Sequence, residues 1–257
     1  MPAMSHDPID PVAPARYAVI DCEDAPKWDG HPSYWLDRLR RPGEEWDVLR
    51  AWAGELPASP EAYRGLVLTG SRYSVHDDLA WLPPLFEHLR ACQASPRGSR
   101  IVGACFGLQV VTHALGGRVG PNPSGRFVFG TERVSLEPAF RDQWFFASDL
   151  PETLTLLVSH GEQALDLPPG ALRLARSATA DNEVFVVGSR VFALQSHAEL
   201  TREALVTIIL PTLREKGRLS PEEDAAALAS LERPADSDLM IGVIRRFLDG
   251  PPAPRAA

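Results

Sequence analysis

A cysteine flanked by glycines stands between a predicted strand and a predicted helix. Arg100–Ala104 is a short apolar run typical of a buried strand, and residues 109–115 have a helical composition. Gly103 and Gly107 lie on either side of Cys105 in the turn between them. A turn this tight leaves little room for a β-carbon beside its apex, which explains the two glycines. The pattern is typical of a nucleophile elbow that carries a thiol.

A thiol nucleophile needs a base, and the base needs a group that orients it. The apolar run Val191–Leu194 predicts a strand that leads into His197, and Glu199 follows two residues later. Side chains at positions i and i+2 can share one side just beyond a strand end. We therefore expect Glu199 to hold the His197 imidazole in one tautomer, and His197 to act as the base of Cys105.

Backbone N–H groups near the elbow are candidates for an oxyanion hole. Phe106 begins the helix after the cysteine, and its N–H is one candidate donor. Gly70 and Ser71 follow a third predicted strand, residues 66–69, and an N–H from one of them would complete the hole. The other interpretation is that Gly70 and Ser71 form an ordinary turn. The sequence does not determine which of the two N–H groups points inward.

The two motifs together resemble the class I glutamine amidotransferase domain, in Gly103-x-Cys105-x-Gly107-x-Gln109 and in His197-x-Glu199. Residues 65–71, 115–117 and 159–162 also resemble stretches of that family. Within it, the chain looks most like the stand-alone γ-glutamyl peptidases, through residues 43–47, 68–76, 105–107 and 231–248. The resemblance covers roughly residues 16–250. One difference is Ala198, because the family commonly has proline between the histidine and the glutamate.

This resemblance implies a site for a γ-glutamyl group. It implies that Gln109 contacts the bound glutamyl group and that His160 lies in a substrate-side loop. Gln109 could otherwise be a plain helix residue, and His160 a solvated loop histidine. The implied chemistry needs neither a cofactor nor a metal. His76 stands beside two aspartates, but these three residues are more typical of a helix start than of a metal site.

The order of predicted elements indicates an α/β fold. Strands and helices alternate up to the elbow helix, which predicts a mostly parallel sheet with helices on both faces. Short strands without helices between them follow at residues 133–136, 153–159, 171–176, 183–187 and 191–194, the last two forming a hairpin around Gly188 and Ser189. They add antiparallel strands to a flavodoxin-like sheet. Helices are predicted at residues 201–216, interrupted at Pro211, and at 221–231 and 237–248.

Composition limits the function classes. The 257 residues predict one domain at 16–250, a disordered lead-in at 1–15 and a tail at 251–257. A net charge of −8 argues against a nucleic-acid partner. We expect no membrane partner, because no apolar run reaches membrane-spanning length and the first residues lack signal-peptide character. Three cysteines without metal-type spacing suit a reducing compartment, and we expect a cytoplasmic protein.

Several functions fit these observations. The first is hydrolysis of γ-glutamyl amides or peptides, including glutathione-like substrates. In that case Arg126 could bind a peptide carboxylate, and the other interpretation is a solvated loop arginine. The second is a glutaminase subunit that supplies ammonia to a separate synthase partner. The third is a non-catalytic binding module, which the intact Cys, His and Glu set disfavours. A cysteine-elbow protease of related shape is a fourth possibility, but that group usually has histidine where this chain has Phe106.

Overall fold

The computed structural model describes residues 15–144, 146–147 and 150–251. The described strands are β1 (Arg16–Asp21), β2 (Glu45–Arg50), β3 (Gly65–Leu68), β4 (Arg100–Ala104), β5 (Arg118–Pro121), β6 (Val128–Leu136), β7 (Thr153–His160), β8 (Glu162–Asp166), β9 (Ala171–Arg176), β10 (Val184–Val187) and β11 (Val191–Leu194). The described helices are α1 (Pro32–Leu39), α2 (Leu82–Ala94), α3 (Phe106–Ala114), α4 (Pro138–Gln143), α5 (Arg202–Ala204), α6 (Leu210–Glu215), α7 (Pro221–Ser230) and α8 (Ser237–Asp249). A π-helical turn, Leu205–Ile209, joins α5 to α6. The predicted lead-in and tail lie outside the described residues, except for Ala15 and Pro251.

One large sheet forms the centre of the molecule. Its nine described strands are arranged in the order β2-β1-β3-β4-β11-β10-β9-β6-β7. Neighbours from β2 to β11 pair in parallel, and those from β11 to β7 pair antiparallel. β5 and β8 pair as a separate two-stranded sheet. The predicted mostly parallel sheet with added antiparallel strands is confirmed.

Helices cover the sheet on both faces, as the sequence predicts. β3, β10 and β11 are buried along their whole length, as expected for continuous apolar strands covered on two sides. Trp35 of α1 and Phe247 of α8 share one core with Phe192 of β11. Leu85 of α2 and Leu108 of α3 belong to the core on the opposite face. Among the residues that the structure describes, no helix is both long enough and apolar enough to cross a bilayer.

The parallel half of the sheet brings the candidate residues to one edge. β4 and β11 are neighbours in register, with Ala104 opposite Leu194. The chain therefore leaves the two strands at adjacent positions, toward Cys105 on one side and His197 on the other. Carboxyl ends of parallel strands are the usual place for a site in such a sheet.

Some elements differ from the sequence-based prediction. α4 lies between β6 and β7, where only strands were expected, and its six residues are too few for a helical pattern to stand out. β5 and β8 were not predicted, because they lack the continuous apolar character that marks the equally short β3 and β11. The predicted helix at residues 201–216 is divided into α5, the π-helical turn and α6. Pro211 is the second residue of α6, directly after the π-helical turn, and it cannot donate the backbone N–H that a continuous α-helix uses.

Candidate active site

Cys105 occupies the junction between β4 and α3 in an unusual backbone conformation. Its φ is +52° and its ψ is −106°, and no other non-glycine residue in the described chain has a positive φ. Such a conformation is strained, and it persists only where the surrounding structure enforces it. The N–H of Cys105 donates to the carbonyl of Leu194, 2.9 Å away, so β11 holds the turn. This is the strand-to-helix geometry expected of a nucleophile elbow.

The glycines beside Cys105 are required by close packing of the backbone. A β-carbon added to Gly103 would lie 2.5 Å from the carbonyl oxygen of Gly107. One added to Gly107 would lie 2.6 Å from the carbonyl oxygen of Leu68 in β3. Atoms this close cannot coexist without a shift of the backbone. The elbow therefore depends on a missing side chain at both positions, which is the physical reason for the sequence pattern.

His197 and Glu199 form a buried pair directly beyond β11. Nδ1 of His197 lies 2.8 Å from Oε1 of Glu199. The backbone N–H of His197 donates to the carbonyl of Leu157 in β7, 2.8 Å away, which fixes the histidine against a second strand. The two residues are 5% and 1% exposed. The contact fixes the orientation of the ring and leaves the opposite nitrogen for other partners.

The structure brings Cys105 and His197 together, and both lie against Gly70. Burial lowers the pKa of His197, but the Glu199 carboxylate and the Cys105 sulfur raise it by more, so the pKa stands well above its usual value. Both contacts therefore favour the protonated form of the His197 imidazole. The Cys105 Sγ also lies 3.5 Å from the carbonyl oxygen of Ser159, at the end of β7. Cysteine, histidine and glutamate thus meet in one buried cluster.

Gly70 lies against the same cluster. A β-carbon on Gly70 would be 3.0 Å from Cε1 of His197 and 3.8 Å from Cβ of Cys105. Ser71 follows it and is half-buried, with its hydroxyl accepting from the Tyr73 N–H at 3.2 Å. Phe106 is the first residue of α3, so its N–H has no acceptor within the helix. All three candidate oxyanion donors therefore lie near Cys105, and their role stays a prediction.

Gln109 connects the elbow helix to the start of β8. Its side chain is buried, and Nε2 donates to the carbonyl of Glu162 at 2.7 Å. The carboxylate of Glu162 in turn accepts from the Ser74 hydroxyl at 2.8 Å. Gln109 is thus not a solvent-facing helix residue. Its predicted contact with a glutamyl group remains a prediction.

His160 is a strand residue rather than a solvated loop histidine. It is the last residue of β7, opposite Val128 of β6, and it is 3% exposed. Burial, with a smaller contribution from the charge of His197, lowers the pKa of His160 to about 4. The ring makes no well-formed hydrogen bond through either nitrogen, although the backbone of Glu162 lies near it. His160 is therefore neutral at pH 7 and lies close to His197.

The other two cysteines differ from Cys105 in their surroundings. All three are free and buried, but Cys22 and Cys92 lie within the apolar core. Burial raises the pKa of Cys92 to about 11 and raises that of Cys22 further. Both thiols are therefore protonated and unreactive at neutral pH.

His31 is a site neighbour that the sequence did not reveal. It precedes α1, is 4% exposed and has no hydrogen-bond partner at Nδ1. Burial lowers its pKa, while the charge of Glu199 acts in the opposite direction, which places His31 in the electrostatic environment of the His–Glu pair. More than 160 positions separate it from Glu199, and no motif marks it, so only the folded chain could have revealed it.

The two remaining sequence candidates, Arg126 and His76, each have a partner within the protein. Arg126 is largely exposed and pairs with Glu223 at 3.4 Å, at the start of α7. Nε2 of His76 lies 3.1 Å from the carbonyl of Val119. Among the described residues, no group of three or more His, Cys, Asp or Glu side chains could hold a metal ion.

Known proteins resemble this chain over most of its length. Gamma-glutamyl peptidase 4 of Arabidopsis thaliana is 26% identical over 240 residues, which are 92% of this chain and 94% of the relative. Gamma-glutamyl peptidase 3 of the same plant is 27% identical, with 91% and 94% covered. No protein-family model matches the chain. The resemblance predicted from the motifs is confirmed.

Solved structures define the fold. A glutamine amidotransferase from Thermotoga maritima superposes with a TM-score of 0.68 at 19% identity, covering 92% of this chain and 99% of the other. A glutamine amido transferase from Methylobacillus flagellatus gives a TM-score of 0.65 at 22% identity, with 91% of each chain covered. The fold is that of the class I glutamine amidotransferases. At sequence identities this low, the similarity concerns the fold and not the substrate.

Proposed function

We propose that the protein is a cysteine-dependent hydrolase of γ-glutamyl amide bonds. One observation carries the proposal: Cys105 stands at a strained elbow beside His197, which Glu199 holds at 2.8 Å. A nucleophile, a base and an orienting carboxylate in this arrangement support acyl transfer through a covalent intermediate. The likeness to glutamine amidotransferase-like enzymes supports the same chemistry.

The proposed reaction has two halves. The Cys105 thiolate attacks the δ-carbonyl carbon of the γ-glutamyl group, and the N–H of Phe106 with one from Gly70 or Ser71 stabilises the oxyanion. The carbon–nitrogen bond breaks as protonated His197 gives its proton to the leaving amine, which yields a γ-glutamyl thioester. His197, now neutral, takes a proton from water, and the hydroxide attacks the thioester. Glutamate leaves, and the thiolate and imidazolium are restored.

Other residues would prepare the site for this reaction. Glu199 stabilises the imidazolium and fixes its tautomer. Gln109 and neutral His160 would line the glutamyl side, since one is tied to Glu162 and the other lies at the end of β7. A thiol nucleophile must stay reduced, so we also propose a reducing compartment such as the cytoplasm.

We propose γ-glutamyl peptides, including glutathione-like conjugates, as the substrates. The named γ-glutamyl peptidases support this choice because they match the chain almost end to end. The alternative is a glutaminase subunit for a separate synthase. The support for this alternative is the similarity to GMP synthase of Thermomicrobium roseum, which is 32% identical over 163 residues. The match spans only 27% of the length of that synthase. A non-catalytic module is disfavoured because the Cys, His and Glu set is intact.

A substrate panel with the purified protein alone tests the proposal. L-glutamine, γ-glutamyl dipeptides, glutathione and its S-conjugates would be compared by kcat/KM, with Cys105→Ala as the control. We expect γ-glutamyl peptides to be hydrolysed with higher kcat/KM than glutamine, without a partner. A preference for glutamine, or activity that depends on a second protein, favours the glutaminase subunit. Absence of hydrolysis both by the protein alone and with a second protein added favours the binding module.

A further inference from the structure

The chain segment after β1 contains a buried glutamate that the reaction above does not use. Glu23 is 5% exposed, and its side chain is 2% exposed. A buried carboxylate is costly unless hydrogen bonds and opposite charges surround it. The partners of Glu23 are therefore informative, because the fold must supply them.

Those partners connect the segment after β1 to the loop after β3. Oε1 of Glu23 accepts from the backbone N–H of Ala25 at 2.8 Å, within its own segment. Oε2 accepts from the backbone N–H of Arg72 at 2.7 Å, in the loop that follows β3. The Arg72 guanidinium also pairs with Oε1. One carboxylate thus binds both the backbone and the side chain of the loop that contains Gly70 and Ser71.

A second anchor holds the peptide group on the other side of Ser71. The Thr69 hydroxyl donates to the carbonyl of Gly70 at 3.0 Å and accepts from the N–H of Cys22 at 3.0 Å. In a planar trans peptide the C=O and the next N–H point in opposite directions. The direction of the Gly70 carbonyl therefore sets the direction of the Ser71 N–H. Thr69 fixes the peptide before Ser71, and Glu23 fixes the peptide after it.

We propose that Glu23 is a positioning residue that anchors the peptide after Ser71 and so, together with Thr69, keeps the Gly70–Ser71 amides in place for oxyanion stabilisation. This inference rests on the proposed function, because it names how the donor loop opposite Phe106 is held. Oxyanion donors act through preorganisation, so a loop free to rotate would stabilise the transition state less while still binding substrate. Glu23 touches no reacting atom and acts through the Arg72 N–H.

Asp24 offers a matched control. It lies next to Glu23 and pairs with the same arginine, at 2.6 Å, and with the Tyr73 hydroxyl at 3.0 Å. It bonds only to side chains of the loop, whereas Glu23 also bonds to the loop backbone. Glu23→Gln and Asp24→Asn therefore each remove one negative charge beside Arg72. Glu23 accepts from the backbone N–H of Ala25 through one oxygen and from that of Arg72 through the other. Only Glu23→Gln prevents one side chain from accepting at both ends, because one end of a glutamine amide is a donor.

The test compares wild type, Glu23→Gln and Asp24→Asn in γ-glutamyl dipeptide hydrolysis. We expect Glu23→Gln to lower kcat about 10- to 100-fold with KM changed by less than about threefold. Asp24→Asn should keep kcat within about twofold of wild type. Equal kcat in the two variants would overturn the proposal, and so would a loss confined to KM.

A second readout does not depend on activity. Amide hydrogen exchange of residues 69–73 should be faster in Glu23→Gln than in wild type or Asp24→Asn, and unchanged exchange would overturn the anchoring. If Glu23→Gln does not fold, Glu23→Asp keeps the charge but shortens the reach to Arg72, and the same loss of kcat and faster exchange are expected. Wild-type kinetics and exchange in Glu23→Asp would contradict the proposal. If the wild-type protein does not hydrolyse the dipeptide, while exchange at residues 69–73 is still faster in Glu23→Gln than in wild type, the result would reject the hydrolase function and not the anchoring.

Discussion

Glu199 holds the ring of His197 through a 2.8 Å contact between Oε1 and Nδ1, although only Ala198 separates the two residues. The family motif commonly has proline at this position, and proline would stiffen the turn. Here the backbone N–H of His197 is instead tied to Leu157. The backbone bond to β7 and the side-chain contact with Glu199 together hold His197 in this chain.

The first prediction concerns this pair. Glu199→Gln should lower kcat on the order of 10²- to 10⁴-fold, because the orienting charge is lost while the base remains. His197→Ala should lower kcat further, because the leaving amine then has no proton donor. Steady-state kinetics on a γ-glutamyl dipeptide measures both. A silent Glu199→Gln variant would mean that another residue orients the histidine.

The raised pKa of His197 predicts a pH effect. Protonated His197 is needed to release the amine, and its pKa stands well above the usual value because of Glu199 and Cys105. Activity should therefore persist above neutral pH and fall only as His197 loses its proton. Glu199→Gln removes one of the charges that stabilise the imidazolium, so the alkaline limb of kcat/KM should move to lower pH. An alkaline limb in the same position in both proteins would contradict the assignment.

Most of the candidate site could be predicted because its residues are marked by local patterns. Gly103 and Gly107 mark the elbow, since a tight turn excludes a β-carbon, and the run into His197 marks a strand end. His31 and Glu23 could not be found in this way. The groups that surround each of them are distant in the sequence, and only the folded chain brings them together.

A pair of glycine-to-alanine variants tests the packing of the elbow. Gly107 and Gly242 are both helical, but alanine at 107 would meet the Leu68 carbonyl at 2.6 Å, whereas at 242 the nearest atom is the flexible end of Arg246 at 3.4 Å. Gly107→Ala should destabilise the fold by about 2 kcal/mol or more. Gly242→Ala should stabilise it by about 0.5–1 kcal/mol. Denaturant unfolding measures both, and equal effects would show that the elbow tolerates a side chain.

A buried carboxyl outside the site predicts a pH dependence of stability. Burial raises the pKa of Glu183 from 4.5 to about 7. The folded state therefore retains a proton that the unfolded state releases, so stability is full below about pH 4.5 and falls as the pH rises through 7. The loss should reach about 3 kcal/mol by pH 8. Unfolding at pH 5 and pH 8 should show a smaller difference in Glu183→Gln than in wild type or the exposed control Glu55→Gln. The same difference in all three would contradict this account.

The fold was predictable where elements are long or strongly apolar. The hairpin of β10 and β11 follows from Gly188 and Ser189 between two apolar runs, and α8 follows from its helical pattern. α4, β5 and β8 were missed because they are both short and of mixed polarity, so neither a period nor a continuous apolar run marks them. Pro211 predicts an interruption of the helix at residues 201–216, but its position alone does not predict that the interruption is a π-helical turn.

The most direct test of the central claim is to trap the covalent intermediate. Wild-type protein would be acid-quenched during turnover of a γ-glutamyl dipeptide, and its peptides examined by mass spectrometry. We predict one added glutamyl group on the peptide that contains Cys105, with no addition at Cys22 or Cys92, and neither adduct nor turnover in Cys105→Ala. Undiminished hydrolysis by Cys105→Ala, with no adduct on the wild-type cysteine, would contradict the account.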